Sequence, residues 1–226
     1  MDEPGRALKQ VLQALDNAAA RAERPAARLL AVSKTKPAEA VRALAAVGQG
    51  AFGENYVQEA QAKQRALVDL RLEWHLIGHL QTNKAREAAA CFDWVQSADR
   101  LRLVDALARH RPASLPPLQV PVQVNVDDEA GKSGCHPGDI APLAAAVAAA
   151  PTLRLRGLMA ITEPFPDPAR RRASFRRMRG LFDALREVHA GADTLSMGMS
   201  GDFELAAEEG ATMVRVGSAL FGARTR

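Results

Sequence analysis

Lys34 is the side chain in this sequence best placed for covalent chemistry. It follows Leu29-Leu30-Ala31-Val32-Ser33, an apolar run of strand character, and so leaves a buried strand at its end. A lysine there is partly desolvated, which lowers its pKa and frees the amine to attack an aldehyde. Taken alone, an inert lysine just past a strand end is the better reading. Two features near the end of the chain bear on that choice. Ser196-Met197-Gly198-Met199-Ser200-Gly201 precedes a helical pattern, and Val216-Gly217-Ser218-Ala219 closes the last apolar run. Glycine turns at helix starts present backbone N–H groups to a phosphate, and Ser200 and Ser218 add hydroxyls. The plainer reading makes Ser200 an N-cap and the glycines turns, and Asp202 and Glu204 favour it because they repel a phosphate. Arg215 interrupts the otherwise apolar Met213-Val214-Arg215-Val216-Gly217. A fixed charge in a buried strand needs a counterpart, either a buried carboxylate or an electron-rich ligand atom such as a heteroaromatic nitrogen.

These residues lie in a regular alternation. Strand-like runs are expected at Arg28–Ser33, Ala51–Gly53, Glu73–Gly78, Trp94–Ser97, Leu118–Val126, Arg154–Ala160, Asp193–Met197 and Met213–Gly217. Helical stripes separate them: Val41, Leu44 and Ala45; Tyr56 to about Leu70; a short one after Gln81; Leu101, Val104 and Leu107, capped by Asp99; Ile140, Leu143 and Val147, opened by Pro137; Phe175, Met178, Phe182 and Leu185; and Leu205 to Glu209. An additional helix at about residues 5–23 carries Leu8, Val11, Leu12, Leu15, Ala18, Ala19 and Ala22 on one face. Eight strands alternating with helices imply parallel pairing and a closed (β/α)8 TIM barrel spanning about residues 28–222, within a single domain covering 1–226. An open doubly wound sheet would want a glycine-rich turn after its first strand, where this sequence has Val32-Ser33-Lys34-Thr35-Lys36-Pro37.

Reading the carboxyl ends of the strands in order gives Lys34, Glu54-Asn55, Gly78-His79, Ser97, Asn125, Met159-Ala160, Gly198-Met199-Ser200 and Gly217-Ser218. That set contains neither a metal-ligand cluster nor a nucleophile–His–Asp combination, so no metal and no hydrolytic triad is expected. Cys91 and Cys135 are too few for a disulfide framework. No apolar run reaches the length of a membrane span, and the acidic Met1-Asp2-Glu3 start does not resemble a signal peptide, so a cytoplasmic protein is expected. The net charge of +4 raises the question of nucleic acid. The densest basic cluster, Arg170, Arg171, Arg172, Arg176, Arg177 and Arg179, reads as a solvated helix face instead.

Several ordered segments carry a resemblance to one family. They are Leu30-Ala31-Val32-Ser33-Lys34-Thr35-Lys36, Phe52 to Glu59, Trp74 to Lys84, Val122 to Val126 with Lys132-Ser133-Gly134, Arg156 to Ile161, Leu195 to Ser200 and Val214 to Gly222. Together they resemble the pyridoxal-phosphate homeostasis proteins, which look like the barrel domain of alanine racemase without its second domain. The resemblance implies pyridoxal 5′-phosphate held as a Schiff base on Lys34, with Lys36 the lesser candidate. It places Arg215 at the pyridine nitrogen, Ser200, Gly217 and Ser218 at the phosphate, and Asn55 beside the ring. Ser218 stands where many relatives have threonine, which keeps the hydroxyl.

The resemblance also implies binding rather than turnover. Chemistry at an amino-acid α-carbon uses the protonated pyridine ring as an electron sink, and an arginine at its nitrogen disfavours that proton. Alanine racemase adds a tyrosine base from a separate domain of a partner subunit. This sequence ends shortly after Gly222, leaving no room for such a domain, and its only tyrosine, Tyr56, starts a helix where it is expected to pack or hydrogen-bond locally. A monomeric carrier or regulator of intracellular pyridoxal phosphate is therefore expected, with no catalytic residues, the cofactor and apo pyridoxal-dependent enzymes as partners, and a monomeric racemase as the alternative.

Overall fold

A computed structural model describes residues 3–129 and 131–222. Eight parallel strands close into a barrel in sequence order: β1 Arg28–Val32, β2 Ala51–Glu54, β3 Glu73–Leu76, β4 Trp94–Val95, β5 Leu118–Gln123, β6 Leu153–Met159, β7 Thr194–Met199 and β8 Met213–Val216. Closure comes from β1, which pairs with β2 through Ala31↔Phe52 and with β8 through Leu30↔Arg215. The helices are α1 Glu3–Arg21, α2 Ala38–Ala46, α3 Val57–Ala66, α4 Ala85–Cys91, α5 Leu101–His110, α6 Ile140–Ala149, α7 Pro168–Val188, α8 Phe203–Glu208 and the single turn α9 Ser218–Phe221. The expected (β/α)8 barrel with an N-terminal helix is what the chain forms. The ends of the expected 1–226 span, residues 1–2 and 223–226, lie outside the described residues.

Strand alternation explains how one apolar sequence builds two interiors. Side chains two residues apart share a face. Leu29, Ala31, Trp74, Leu76, Val95, Val214 and Val216 point outward, where they meet the helix stripes in one large core with Val41, Leu107, Phe175 and Phe182. Their neighbours Leu30, Ile77, Trp94 and Met213 point inward with Ala51, forming a small lumenal cluster on which Val32 packs. Because both faces are buried, the strands read as continuous apolar runs. Helix α1 packs against α2, α8 and α9, and buries Leu8, Val11, Leu15, Ala18 and Ala19. Leu12, expected in that stripe, is 43% exposed at its edge.

Other differences have local causes. Three strands stop two or three residues short of the expected ends at Gly78, Ser97 and Val126, and Gly78 lines the cavity at the barrel mouth instead. Strand β7 instead runs two residues further than expected, through a register shift between Ser196 and Met199. Gly198 makes that shift possible: its φ is +89°, and a Cβ there would approach the Ala206 methyl to 2.4 Å. Helix α5 begins after Arg100, and the Asp99 carboxylate expected to cap it accepts from the Arg100 guanidinium at 2.5 Å. Tyr56 does not pack as expected: it precedes α3 with 65% of its surface exposed.

The arginine-rich α7 is an ion-paired face. Arg172 and Arg176 bond Glu209, Arg172 also reaches Glu208, and Arg179 pairs with Asp183.

Candidate functional site

A cavity of about 570 Å³ opens at the carboxyl ends of the strands. Its wall brings together all six residues singled out from sequence: Lys34, Asn55, Ser200, Arg215, Gly217 and Ser218. They come from the ends of β1, β2, β7 and β8, far apart in the chain but adjacent at the mouth of a barrel.

Lys34 is half-buried on a turn that is itself held in place. The next residue, Thr35, has φ +65°, a strained backbone for a β-branched residue that persists only when its surroundings enforce it. Two carboxylates and a lysine do so. Glu59 Oε1 accepts from the Thr35 N–H at 2.6 Å, and the buried Lys63 Nζ donates to the Ser33 carbonyl, Glu54 Oε1 and Glu59 Oε1 at 2.7, 2.7 and 2.8 Å. The Ser33 hydroxyl adds a bond to Glu54 at 2.5 Å. Burial pushes the Glu54 carboxyl above its usual range, opposed by the bonds from Lys63 and Ser33. Lys36 also lines the cavity, and it donates to the Phe221 carbonyl at 2.9 Å, tying the β1 turn to α9.

Across the cavity, the loops after β7 and β8 are joined directly. Ser200 Oγ accepts from the Gly217 N–H at 3.0 Å, so the hydroxyl hydrogen of Ser200 stays available to a ligand. Ser200 is not the N-cap of α8; Asp202 occupies that position and accepts from the Met199 N–H at 2.7 Å. The opening amides of α9, Ser218 and Ala219, have no carbonyl four residues back within the helix. Gly217 lies close against β1, where a Cβ would stand 3.2 Å from the Val32 carbonyl.

Arg215 is 3% exposed. Its guanidinium donates to Ser196 Oγ at 2.8 Å and to the Ala160 carbonyl at 2.7 Å. Neither partner is a carboxylate, so the buried ion pair that would have explained this residue structurally is absent among the described residues. Burial lowers its pKa to about 10, only partly offset by the field of Asp202. The guanidinium is thus a buried charge at the wall of a polar cavity, with partners that share its hydrogen bonds but not its charge.

Residues not singled out as site members also line the cavity, including His79, Gln123, Lys132 and Ser133. Ser133 Oγ bonds His79 Nδ1 at 3.0 Å, Gln123 donates to the Ser133 carbonyl at 3.1 Å, and Lys132 pairs with Glu129. Their signal was weak: His79 sits at a strand end, but the 131–133 segment reaches the cavity only because the chain folds back beside β5. Asn125, at the same rim, spends its amide on both backbone groups of Glu129. Cys91 and Cys135 are free, and burial raises both thiols to about 12, away from nucleophilic chemistry. No helix among the described residues is long and apolar enough to cross a membrane.

The family described as Alanine racemase, N-terminal domain, matches residues 7–225. A pyridoxal phosphate homeostasis protein of Pseudomonas aeruginosa is 58% identical over 196 residues, covering 87% of this chain and 84% of that protein. A protein of the same name from Escherichia coli is 48% identical over 229 residues, covering 99% and 98%. Among solved structures, PipY of Synechococcus elongatus with PLP bound superimposes with a TM-score of 0.81 at 39% identity, covering 92% of this chain and 99% of that one.

Proposed function

The chain belongs to the pyridoxal phosphate homeostasis protein family, and from that premise we propose that it binds pyridoxal 5′-phosphate covalently on Lys34 as a carrier or regulator of that cofactor. The Lys34 amine condenses with the cofactor aldehyde, forming a C=N bond and releasing one water. Arg215 faces the ring nitrogen, Asn55 lies beside the ring, and Ser200, Gly217 and Ser218 hold the phosphate. In this reading Gly217 contributes close approach and keeps Ser200 aimed, while the α9 amides and both serine hydroxyls donate. The protein works as one domain in the cytoplasm, delivering to or buffering pyridoxal-dependent enzymes.

Arg215 carries this reading. A guanidinium buried in a barrel with only neutral partners is costly unless a ligand meets it. It lines the same cavity as a half-buried lysine. A lone pair on a heteroaromatic nitrogen satisfies an N–H donor without needing a negative charge. The fit extends to size, since the cavity volume falls within the range of small-molecule sites.

The same residue argues against efficient turnover. When bound, pyridoxal phosphate supplies an electron sink for α-carbanions only as far as its ring nitrogen is protonated. Arg215 opposes that proton. The only tyrosine, Tyr56, is mostly exposed and does not line the cavity, so it is not placed as a second base. Lack of a placed acid or base on one face costs roughly 10²- to 10⁴-fold.

Absorbance of the purified protein with added pyridoxal phosphate tests the binding half. The wild type is expected to show a visible Schiff-base band and Lys34→Ala to lose it; an undiminished band in the variant assigns the bond elsewhere. Exchange of the alanine α-proton in heavy water tests the other half. Exchange at ordinary enzyme rates overturns the carrier reading.

A further inference from the structure

The lumen of the barrel holds a continuous line of polar side chains. Arg215 Nη1 donates to Ser196 Oγ at 2.8 Å, and the Ser196 hydroxyl donates to Gln96 Oε1 at 2.7 Å. Gln96 Nε2 meets His75 Nδ1 at 2.9 Å, and His75 Nε2 meets Glu73 Oε1 at 2.5 Å. Glu73 is paired with Arg28 at 2.9 Å, at the end of the barrel away from the cavity. His75, Gln96 and Ser196 are fully buried.

The proton order along this line is fixed by its ends. Arg215 can only donate, so the Ser196 oxygen accepts and its hydrogen must go to Gln96 Oε1. That leaves the Gln96 amide nitrogen to donate to His75 Nδ1, which puts the imidazole hydrogen on Nε2, facing Glu73. Flipping the Gln96 amide would leave the Ser196 hydroxyl without that acceptor and turn a lone pair of His75 toward the carboxylate. Burial favours the neutral imidazole, which agrees with this tautomer. Trp94 stacks on the His75 ring at 4.9 Å and fixes its plane.

We infer that Ser196, Gln96, His75 and Glu73 form a positioning relay that orients Arg215 toward the ring nitrogen of the bound cofactor and supplies its negative counterpart from the far end of the barrel. This rests on the cofactor reading above. Every donor points away from the cavity, so the line is polarised in one direction, and such chains strengthen each other in a low dielectric. A carboxylate beside Arg215 would compete with the ligand for the guanidinium. Placing it several hydrogen bonds away neutralises part of the charge while leaving the guanidinium edge open. Other charged groups near the line are Arg28 and Asp93, close to His75, Arg156, 4.5 Å over the Trp94 ring that stacks on His75, and Asp202, close to Arg215. The relay residues do not line the cavity, so they are positioning residues, and their effect is electronic.

The test compares wild type, Glu73→Gln and Gln96→Leu as full-length protein loaded with pyridoxal phosphate labelled with ¹⁵N in the ring. Two signals are read: the pH midpoint of the Schiff-base absorbance and the ring-nitrogen chemical shift. Glu73→Gln keeps an acceptor for His75 and removes only the distant charge. Both variants are expected to retain the cofactor on Lys34 and to lower the midpoint by on the order of half a pH unit, because Arg215 is left less compensated. The ring-nitrogen resonance should move with it. If wild type forms no bond with Lys34, the cofactor reading fails first. If wild type forms it and the soluble variants titrate and resonate like wild type, the relay is overturned. Should Gln96→Leu fail to fold, Glu73→Gln alone decides, since its site is partly solvated and a purely structural role would move stability but neither signal.

Discussion

Each strand of this barrel divides its side chains between two environments with different rules. Outward, between strands and helices, the core is almost wholly apolar: Leu76, Val95, Leu107, Phe175 and Phe182 are buried against one another. Inward, a few apolar residues, Leu30, Ala51, Ile77, Trp94 and Met213, share the lumen with Arg215, Ser196, Gln96 and His75. Barrels of this type usually fill that space with branched apolar side chains. The outer shell is therefore where stability is made, and the lumen is where apolar burial has been exchanged for a polar line aimed at the cavity. Breaking the shell should cost folding and leave binding chemistry alone; altering the lumen should do the reverse.

The largest effect is expected at the rim where the two environments meet. Lys63→Met leaves the Glu54 carboxylate buried without its cation and should destabilise the fold by about 3–5 kcal/mol, measured by urea unfolding. A loss below about 1 kcal/mol would mean that Glu54 takes up a proton at little cost and that the clamp on the Lys34 turn is dispensable. In the shell, Leu107→Ala removes a fully buried side chain and should cost about 2–5 kcal/mol, with cofactor affinity measured on the folded protein nearly unchanged. A tenfold loss of affinity there would erase the proposed separation.

Arg215→Met sharpens the contrast from the other side. Replacing a buried charge that has no carboxylate partner with an apolar chain of similar length should leave stability unchanged or slightly raised. Pyridoxal phosphate affinity should fall at least about tenfold, equivalent to about 1.4 kcal/mol. Loss of both stability and affinity would make Arg215 a structural residue.

The smallest effect is in pH. Folded His75 is held below its ordinary 6.5 by burial, whereas the unfolded chain takes up that proton. The contribution is therefore fully present above pH 6.5 and is lost as pH falls from there through the lower folded value. Burial works to raise Glu73, but its bond with His75 and the charge of Arg28 overcome this and hold it below its ordinary 4.5, which adds to the loss below pH 4.5. Urea midpoints should decline on acidification from neutral pH; a midpoint that stays level through pH 6.5 would show that His75 is not buried neutral.

Much of the shell was legible in the sequence and little of the lumen. The helix stripes and apolar strands repeat at periods of 3.6 and 2, so elements, order and barrel followed from local pattern. Lys34 and Arg215 stood out because each breaks an apolar run. Glu73, His75, Gln96 and Ser196 did not: they come from three separate stretches of chain, and Gln96 and Ser196 are 100 residues apart. Only the register of the strands aligns them. Strand ends at the mouth were overextended because apolar residues such as Ile77 continue the pattern after ladder pairing has stopped. The cap assigned to Asp99 and the packing assigned to Tyr56 failed because neighbouring charge and exposure, which composition does not reveal, decided them.

The most direct measurement is the mass of the peptide containing residue 34 after borohydride treatment of the protein saturated with pyridoxal phosphate. The account predicts one reduced pyridoxyl phosphate adduct on Lys34. An unmodified Lys34 at saturation, or the adduct confined to another lysine, would contradict it.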